Sequence, residues 1–127
     1  MGQETLVVID DNRAFAEFLK SLIEEHCALT VVAIADNGES GVELTESLQP
    51  VGVIVDLSVP GLNGLETIRR LRAHDQDLRI LAVSMWNASQ YVSAALGQGA
   101  NAFVPKTSLS RDLIPVLRGW CFCPPID

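Results

Sequence analysis

Short apolar runs alternate with longer amphipathic stretches along the 127-residue chain, and this alternation constrains the fold more than any other feature. The runs are rich in β-branched residues and apolar on both faces, which is typical of parallel strands covered by helices on each side. Five such runs are predicted to be strands: Thr5–Ile9, Leu29–Ala35, Gly52–Val55, Arg79–Val83 and Ala102–Val104. The chain is therefore expected to form an α/β domain with a doubly wound parallel sheet.

The stretches between these runs have apolar residues at helical spacing. Phe15, Leu19 and Leu22 follow the i, i+4, i+7 pattern that places side chains on one face of a helix. Asn63 precedes Glu66 by three residues and predicts a capped helix start. The resulting β–α units predict right-handed crossovers between parallel strands.

The last helical pattern contains Pro115, which would remove a backbone hydrogen bond from a helix interior. If Ser110 is the N-cap, the proline is the fifth helical residue, and a short helix with a kink near its beginning is expected. Residues 1–119 are predicted to form one domain. Residues 120–127, WCFCPPID, are expected to be a C-terminal tail or the beginning of a linker.

The chain is acidic, with 16 Asp and Glu against 9 Lys and Arg and a formal net charge of −7. This balance argues against nucleic-acid binding by the domain, which would need a basic face. Because the chain lacks an apolar run of about 18 residues and a secretory signal pattern, we expect no membrane association and a cytoplasmic location. The chain has three cysteines, a small and odd number that does not suit a disulfide framework, so reduced thiols are expected.

Charged and hydroxyl residues follow the predicted strands at their carboxyl ends. Asp10 and Asp11 follow the first strand, Asp56 the third, Ser84 the fourth, and Lys106 the fifth. Sites in doubly wound sheets form at this edge. We therefore expect these five side chains to lie close together.

Three converging carboxylates raise one another's pKa unless a cation is present, and an all-oxygen ligand set that keeps waters favours Mg²⁺. Lys106 and Ser84 would add a positive charge and a hydroxyl donor, which suits an anion with several oxygens such as a phosphoryl group. Asp56 is followed by a sharp turn at Pro60-Gly61 that would leave its carboxylate available as a nucleophile toward phosphorus.

These residues resemble the receiver domains of two-component response regulators. The resemblance covers roughly residues 5–118 and implies a flavodoxin-like fold with the strand order 2-1-3-4-5. The segment from Ser84 to Lys106 resembles the subfamily in which a LuxR-type helix-turn-helix domain follows the receiver. No such domain is present in the 127 residues, so either a longer parent protein or a receiver that works alone is expected. The matching positions are Asp10, Asp11, Asp56, Pro60, Gly61, Gly64, Ser84, Phe103 and Lys106.

The resemblance implies that Asp56 accepts a phosphoryl group from a sensor histidine kinase or a phosphotransfer protein. Asp11, Asp56 and the backbone carbonyl of Ser58 would hold Mg²⁺, and Asp10 would assist through a water molecule. No enzymatic activity is expected beyond self-phosphorylation from small donors and slow autodephosphorylation.

The remaining implied roles concern the switch. Lys106 would pair with the phosphoryl group, Ser84 would hydrogen-bond to it, and Phe103 would turn inward as Ser84 moves. Ser58 and Trp86 would tune hydrolysis of the acyl phosphate, and the bulk of Trp86 is expected to limit access of water. The surface of the fourth helix, fifth strand and fifth helix would change shape, with a homodimer and transcriptional control as further expectations.

Two other functions compete with this one. A module with this fold could bind a partner without being phosphorylated. A magnesium-dependent phosphohydrolase could also form an aspartyl phosphate, but such enzymes usually place a second acid at the position that Ser58 occupies, and they need a substrate cap. Each candidate residue, taken singly, also has a structural explanation, such as a core aromatic for Phe103 or a solvated surface charge for Lys106.

Overall fold

A computed structural model describes residues 4–58, 63–85 and 89–119. Strands and helices alternate throughout these residues. The strands are β1 (Glu4–Ile9), β2 (Leu29–Ala35), β3 (Gly52–Asp56), β4 (Arg79–Ser84) and β5 (Ala102–Pro105). The helices are α1 (Arg13–His26), α2 (Gly38–Leu48), α3 (Gly64–His74), α4 (Ser89–Gln98) and α5 (Leu109–Gly119), the last preceded by a 3₁₀ turn (Lys106–Ser108).

The strands form one parallel sheet in the order β2-β1-β3-β4-β5, which confirms the predicted flavodoxin-like fold. All carboxyl ends of the strands therefore open on the same edge. The order reverses next to β1, so the edge above β1 and β3 is where a doubly wound sheet forms its site.

Both faces of the sheet are buried, as the apolar runs predict. In β1, Leu6 and Val8 pack into one core with α1 and α5, whereas Val7 and Ile9 pack into a second core with α2 and α3. All four side chains are fully buried. Burial of an aliphatic side chain of this size contributes about 1.5–3 kcal/mol, so the central strands are held firmly from both sides.

Asparagine side chains cap three of the helices at their amino ends. Asn12, Asn37 and Asn63 each accept a hydrogen bond from the backbone amide three residues later. The predicted helix start at Asn63 is confirmed, with an Oδ1 to Glu66 N distance of 2.9 Å.

The prediction for the last helix is wrong in its bounds. The 3₁₀ turn leads into α5 at Leu109, so Ser110 lies inside the helix, which runs through Pro115 for 11 residues. Pro115 is exposed, while Leu113 and Leu117 are fully buried and hold the helix on the core.

The expectation of reduced thiols is also wrong for Cys27, which is disulfide-bonded. Cys27 caps the end of α1 and is buried, with its backbone amide donating to Ile23 O at 2.8 Å. Three cysteines cannot form several disulfide bridges, but they can form one, and the prediction of reduced thiols did not consider that case. Cys121 and Cys123 lie outside the described residues.

Some predictions fall outside the described residues: the turn at Pro60-Gly61, the role of Trp86, and the tail 120–127. Among the helices formed by residues 4–58, 63–85 and 89–119, none is both long and apolar enough to span a bilayer.

Candidate functional site

The carboxyl edge of the sheet brings the predicted acidic residues together. Asp10 directly follows β1 and Asp56 is the last residue of β3. Both side chains are almost fully buried, at 1% and 2% exposure, whereas Asp11 is exposed. One carboxylate oxygen from each of the three lies within 4.8 Å of the others. This cluster could bind a metal ion, and its all-oxygen donors fit a hard divalent cation.

The carboxyl group of Asp10 is buried, which disfavours its charged form. Burial raises the pKa of Asp10 and the nearby charge of Asp56 raises it further, while the Asn12 amide and Lys106 oppose the shift. Asp10 Oδ2 lies 3.0 Å from the Lys106 ammonium but has no aligned hydrogen-bond donor among the described residues. A cation held by the cluster would reduce the repulsion between the carboxylates, and a water molecule on it could donate to Asp10 Oδ2, so the donors present fit a metal.

Lys106 links the two buried acids. It is the first residue of the 3₁₀ turn after β5, and its Nζ lies 3.0 Å from Asp10 Oδ2 and 3.1 Å from Asp56 Oδ2. Its side chain is only 11% exposed. Burial alone would lower the pKa of Lys106, but the ion pair with Asp10 and the hydrogen-bonded ion pair with Asp56 outweigh it and raise the pKa above its ordinary value. The side chain is therefore a fixed ammonium rather than a solvated surface charge.

The second oxygen of Asp56 is held by Ser58. The backbone amide of Ser58 donates to Asp56 Oδ1 at 3.1 Å, and its hydroxyl donates to the same atom at 3.0 Å. The sequence resemblance assigned Ser58 a backbone carbonyl and a modulating side chain, and did not predict these two hydrogen bonds. One carboxylate oxygen of Asp56 therefore contacts the Lys106 ammonium, and the other accepts hydrogen bonds from two uncharged donors of Ser58.

Gly64 allows α3 to begin directly against this loop. A Cβ at Gly64 would lie 2.3 Å from Leu57 Cα and 2.8 Å from Asp56 O. A side chain at position 64 would clash with this backbone. The glycine therefore lets the first turn of α3 lie directly against Asp56 and Leu57. The sequence signal was the glycine after Asn63, which was assigned only as part of the resemblance.

The other predicted residues lie on the β4–β5 side. Ser84 ends β4, is buried, and lines a cleft of about 270 Å³ together with Ser58 and Tyr91. Phe103 lies on β5 beside Ala82 and packs, half-buried, against the second core. Ser84 and Lys106 therefore share one edge of the sheet with the acids, whereas Phe103 is the second residue of β5 and lies nearer the amino end of that strand.

Two contributors were missed by sequence reasoning. Asn12 donates its backbone amide to Asp10 Oδ1 at 2.8 Å and accepts from the Phe15 amide at 3.0 Å, which joins the acid to the first turn of α1. The Phe15 ring lies under the Lys106 ammonium, with 4.1 Å between Nζ and the ring centroid. An Asn directly after an acidic pair was a detectable capping signal, whereas Phe15 was assigned only to the helix core.

The family model of the response regulator receiver domain matches residues 6–118. The chain belongs to this family. Receiver domains are signalling switches rather than classical enzymes, and they interact with histidine kinases or phosphotransfer proteins.

Curated relatives of this receiver domain are longer regulators. The nitrate/nitrite response regulator protein NarL of Escherichia coli K12 is 40% identical over 114 residues, which cover 90% of this chain and 53% of NarL. The transcriptional regulatory protein DegU of Brevibacillus brevis is 31% identical over 113 residues, covering 89% of this chain and 48% of DegU. The receiver domain spans about half the length of these relatives.

Solved structures agree on the fold. A LuxR-family two-component response regulator from Aurantimonas superposes with a TM-score of 0.88 at 28% identity, covering 94% of this chain and 85% of that one. The signal receiver domain of the putative response regulator NarL from Mycobacterium tuberculosis gives 0.86 at 26% identity, covering 94% and 97%. The LuxR-type resemblance found in the sequence is thus matched among the structural neighbours.

Proposed function

We propose that this domain is a phosphoryl-accepting signalling switch and that Asp56 is the acceptor. The observation that carries the proposal is the setting of Asp56 at the end of β3. Its buried carboxylate is held between the Lys106 ammonium and the two Ser58 donors, with Asp10 and Asp11 close by. This arrangement orients a nucleophile and supplies positive charge on one side of it.

The transfer conserves atoms and charge. An oxygen of Asp56 forms a bond to the phosphorus of a phosphohistidine on a kinase or phosphotransfer protein. The phosphorus–nitrogen bond breaks, and its electron pair stays on the imidazole. With acetyl phosphate as the donor, a phosphorus–oxygen bond breaks instead and acetate leaves. Lys106 stays beside Asp56 Oδ2 and compensates the negative charge that arrives.

We infer that Mg²⁺ is the cofactor. Asp11, Asp56 and the backbone carbonyl of Ser58 would hold it, with Asp10 assisting through water. When bound, the ion supplies positive charge to the phosphoryl oxygens. The carboxylate cluster and the unfilled acceptor at Asp10 Oδ2 support this assignment.

The switch residues are part of the same proposal. Ser84 would hydrogen-bond to the phosphoryl group, and Phe103 would turn inward as Ser84 moves. Ser58 would tune hydrolysis of the acyl phosphate through its contacts with Asp56. Trp86 is proposed to slow hydrolysis by limiting access of water.

The output is proposed to pass through the surface formed by α4, β5 and α5, with a homodimer on phosphorylation. Residues 1–119 would be the receiver unit, and 120–127 a tail or linker. Relatives named as transcriptional regulators support control of transcription by a protein that carries this domain. The proposed location is the cytoplasm, which is the usual setting of receiver domains.

The proposal is tested by intact-mass analysis after incubation with acetyl phosphate, with and without Mg²⁺. We expect one added phosphoryl group in the wild type, only with Mg²⁺, and none in Asp56→Asn. Asp77→Asn is the matched control, because Asp77 is exposed and precedes β4 at the opposite edge of the sheet.

Full labelling of Asp56→Asn would place the acceptor at another residue. If the wild type gains no mass while a control receiver is labelled, the domain is a phosphorylation-independent binding module. Continuous release of inorganic phosphate with rapid turnover would favour the phosphohydrolase instead.

A further inference from the structure

We propose that Phe15 is a positioning residue whose ring holds the Lys106 ammonium against Asp10 and Asp56. This inference rests on the proposed function, in which Lys106 must stay in place while a phosphoryl group is added to Asp56. Neither composition nor motif spacing assigned Phe15 any part in the site.

The geometry around the ammonium carries the argument. Lys106 Nζ lies over the Phe15 ring, 4.1 Å from its centroid. The two carboxylate oxygens lie at 3.0 and 3.1 Å. A lysine ammonium has three donors, and the side turned to the ring is closed to water. The ring and the carboxylates together account for the low exposure of the side chain, 11%.

Phe15 is placed there by the same network that orients Asp10. The Phe15 amide donates to Asn12 Oδ1, and the Asn12 amide donates to Asp10 Oδ1. Phe15 is the third residue of α1, and its neighbour Ala16 is fully buried in the core. The ring and the acid are therefore fixed relative to each other by one capped helix start.

A ring is suited to this task for a physical reason. The face of an aromatic ring attracts a cation without adding a carboxylate that would repel the incoming phosphoryl group. Lysine has a flexible four-carbon stem, so an ammonium without such a surface has other rotamers to adopt. Phe15 would favour the rotamer in which Nζ reaches Asp56, before and after phosphorylation.

The first test measures the contact itself and needs no phosphorylation. The chain has two lysines, Lys20 and Lys106, so lysine side-chain signals are simple to assign by NMR. In wild type we expect the Lys106 ε-methylene protons to be shifted upfield by the ring, and its ammonium protons to exchange slowly. Phe15→Leu should remove the shift and speed the exchange, with Lys20 as the internal reference.

The second test separates ring electrostatics from ring shape. Fluorinated phenylalanines at position 15 weaken the attraction for a cation while keeping the ring. We expect the phosphorylation rate with acetyl phosphate and saturating Mg²⁺ to fall stepwise, by about five- to thirty-fold for the trifluorinated ring. Position 18 is the control for a neighbouring ring, because Phe18 is 46% exposed and its ring pairs with that of Phe15, at 6.3 Å between centroids, whereas the ring beneath the Lys106 ammonium is that of Phe15.

A flat fluorination series at position 15, or an equal fall at position 18, would overturn the proposal. So would a Lys106 signal that Phe15→Leu leaves unchanged. If the unmodified protein accepts no phosphoryl group, the proposed function fails, and the lysine spectra still decide whether Phe15 holds the ammonium.

Discussion

The two buried carboxylates of the site share a single ammonium, so the charge balance changes sharply if that ammonium is removed. Asp10 and Asp56 bring two negative charges to Lys106, whose own charge they stabilise. The sequence predicted these three residues from their places at strand ends. It did not predict Ser58 or Phe15 as their contacts, because such contacts depend on rotamers and on the close approach of loop and helix.

Replacement of Lys106 tests this balance at the level of one residue. Lys106→Met keeps the length of the side chain and removes its charge, so we expect phosphorylation by acetyl phosphate to slow by about a hundredfold. Lys106→Arg should also slow phosphorylation, because the planar guanidinium group does not fit the space that the compact ammonium occupies. The rates are measured by intact mass against time.

Lys20→Met is the matched control, because Lys20 pairs with Glu24 on α1 and lies outside the site. A Lys106→Met variant that is labelled as fast as Lys20→Met would show that the ammonium is not needed for transfer.

At the scale of elements, side-chain hydrogen bonds add to the sheet pairing at two boundaries. On the outer strand β2, Glu24 of α1 accepts hydrogen bonds from the Val31 amide at 2.9 Å and from Lys20 at 2.8 Å. Beyond α4, Arg72 of α3 donates to Gly99 O through Nε at 3.0 Å and Nη2 at 2.9 Å. Sequence patterns predict the elements but not these links, which depend on how neighbouring elements pack in space.

The link at β2 predicts a pH-dependent stability. Burial tends to raise the pKa of Glu24, but the bonds from Lys20 and the Val31 amide outweigh it and lower the pKa below its ordinary value of 4.5. The carboxylate therefore stabilises the fold above pH 4.5, and this contribution is lost as the pH falls through the lowered pKa. We expect Glu24→Gln to reduce the free energy of unfolding by about 1 kcal/mol at pH 7.

Urea denaturation at several pH values measures this effect, and the difference from wild type should shrink below pH 4.5. Glu17→Gln is the control, since Glu17 belongs to an exposed pair with Arg13 and should change stability little. An equal loss in both variants, or a loss that persists in acid, would contradict the role of Glu24.

The link beyond α4 predicts a local effect. Arg72→Ala should reduce the free energy of unfolding by about 2 kcal/mol, because the carbonyl of Gly99 loses both of its guanidinium donors and Asn101 Oδ1 keeps only the Ile80 amide. Backbone amides from Gly99 to Asn101 should exchange faster in hydrogen-exchange mass spectrometry. Arg70→Ala is the control, because Arg70 makes an exposed ion pair with Glu66 at 3.5 Å. Equal protection in the two variants would exclude Arg72 as the anchor.

At the scale of the whole molecule, the α/β class was predictable because the strands are largely apolar and alternate with amphipathic helices, whereas the strand order came from the family resemblance. The acids of the site were predictable because strand ends converge on one edge. The bounds of α5 were not, since the 3₁₀ turn before it and the packing of Leu113 and Leu117 set where the helix begins, and a residue pattern shows neither directly. The disulfide at Cys27 was missed because spatial proximity, not the number of cysteines, decides pairing.

The layering of the sheet also gives the site two unequal halves. Asp10, Asp56 and Ser84 all follow or end strands whose last residues are buried, but the helices differ: α1 and α3, beside the acids, bury several side chains, whereas α4, which follows Ser84, buries only Ala95 among its residues. A charged group added between a well-packed helix and a weakly packed helix displaces the weakly packed helix at the lower cost in free energy. We therefore expect a phosphoryl group added at this edge to displace α4 rather than α1 or α3.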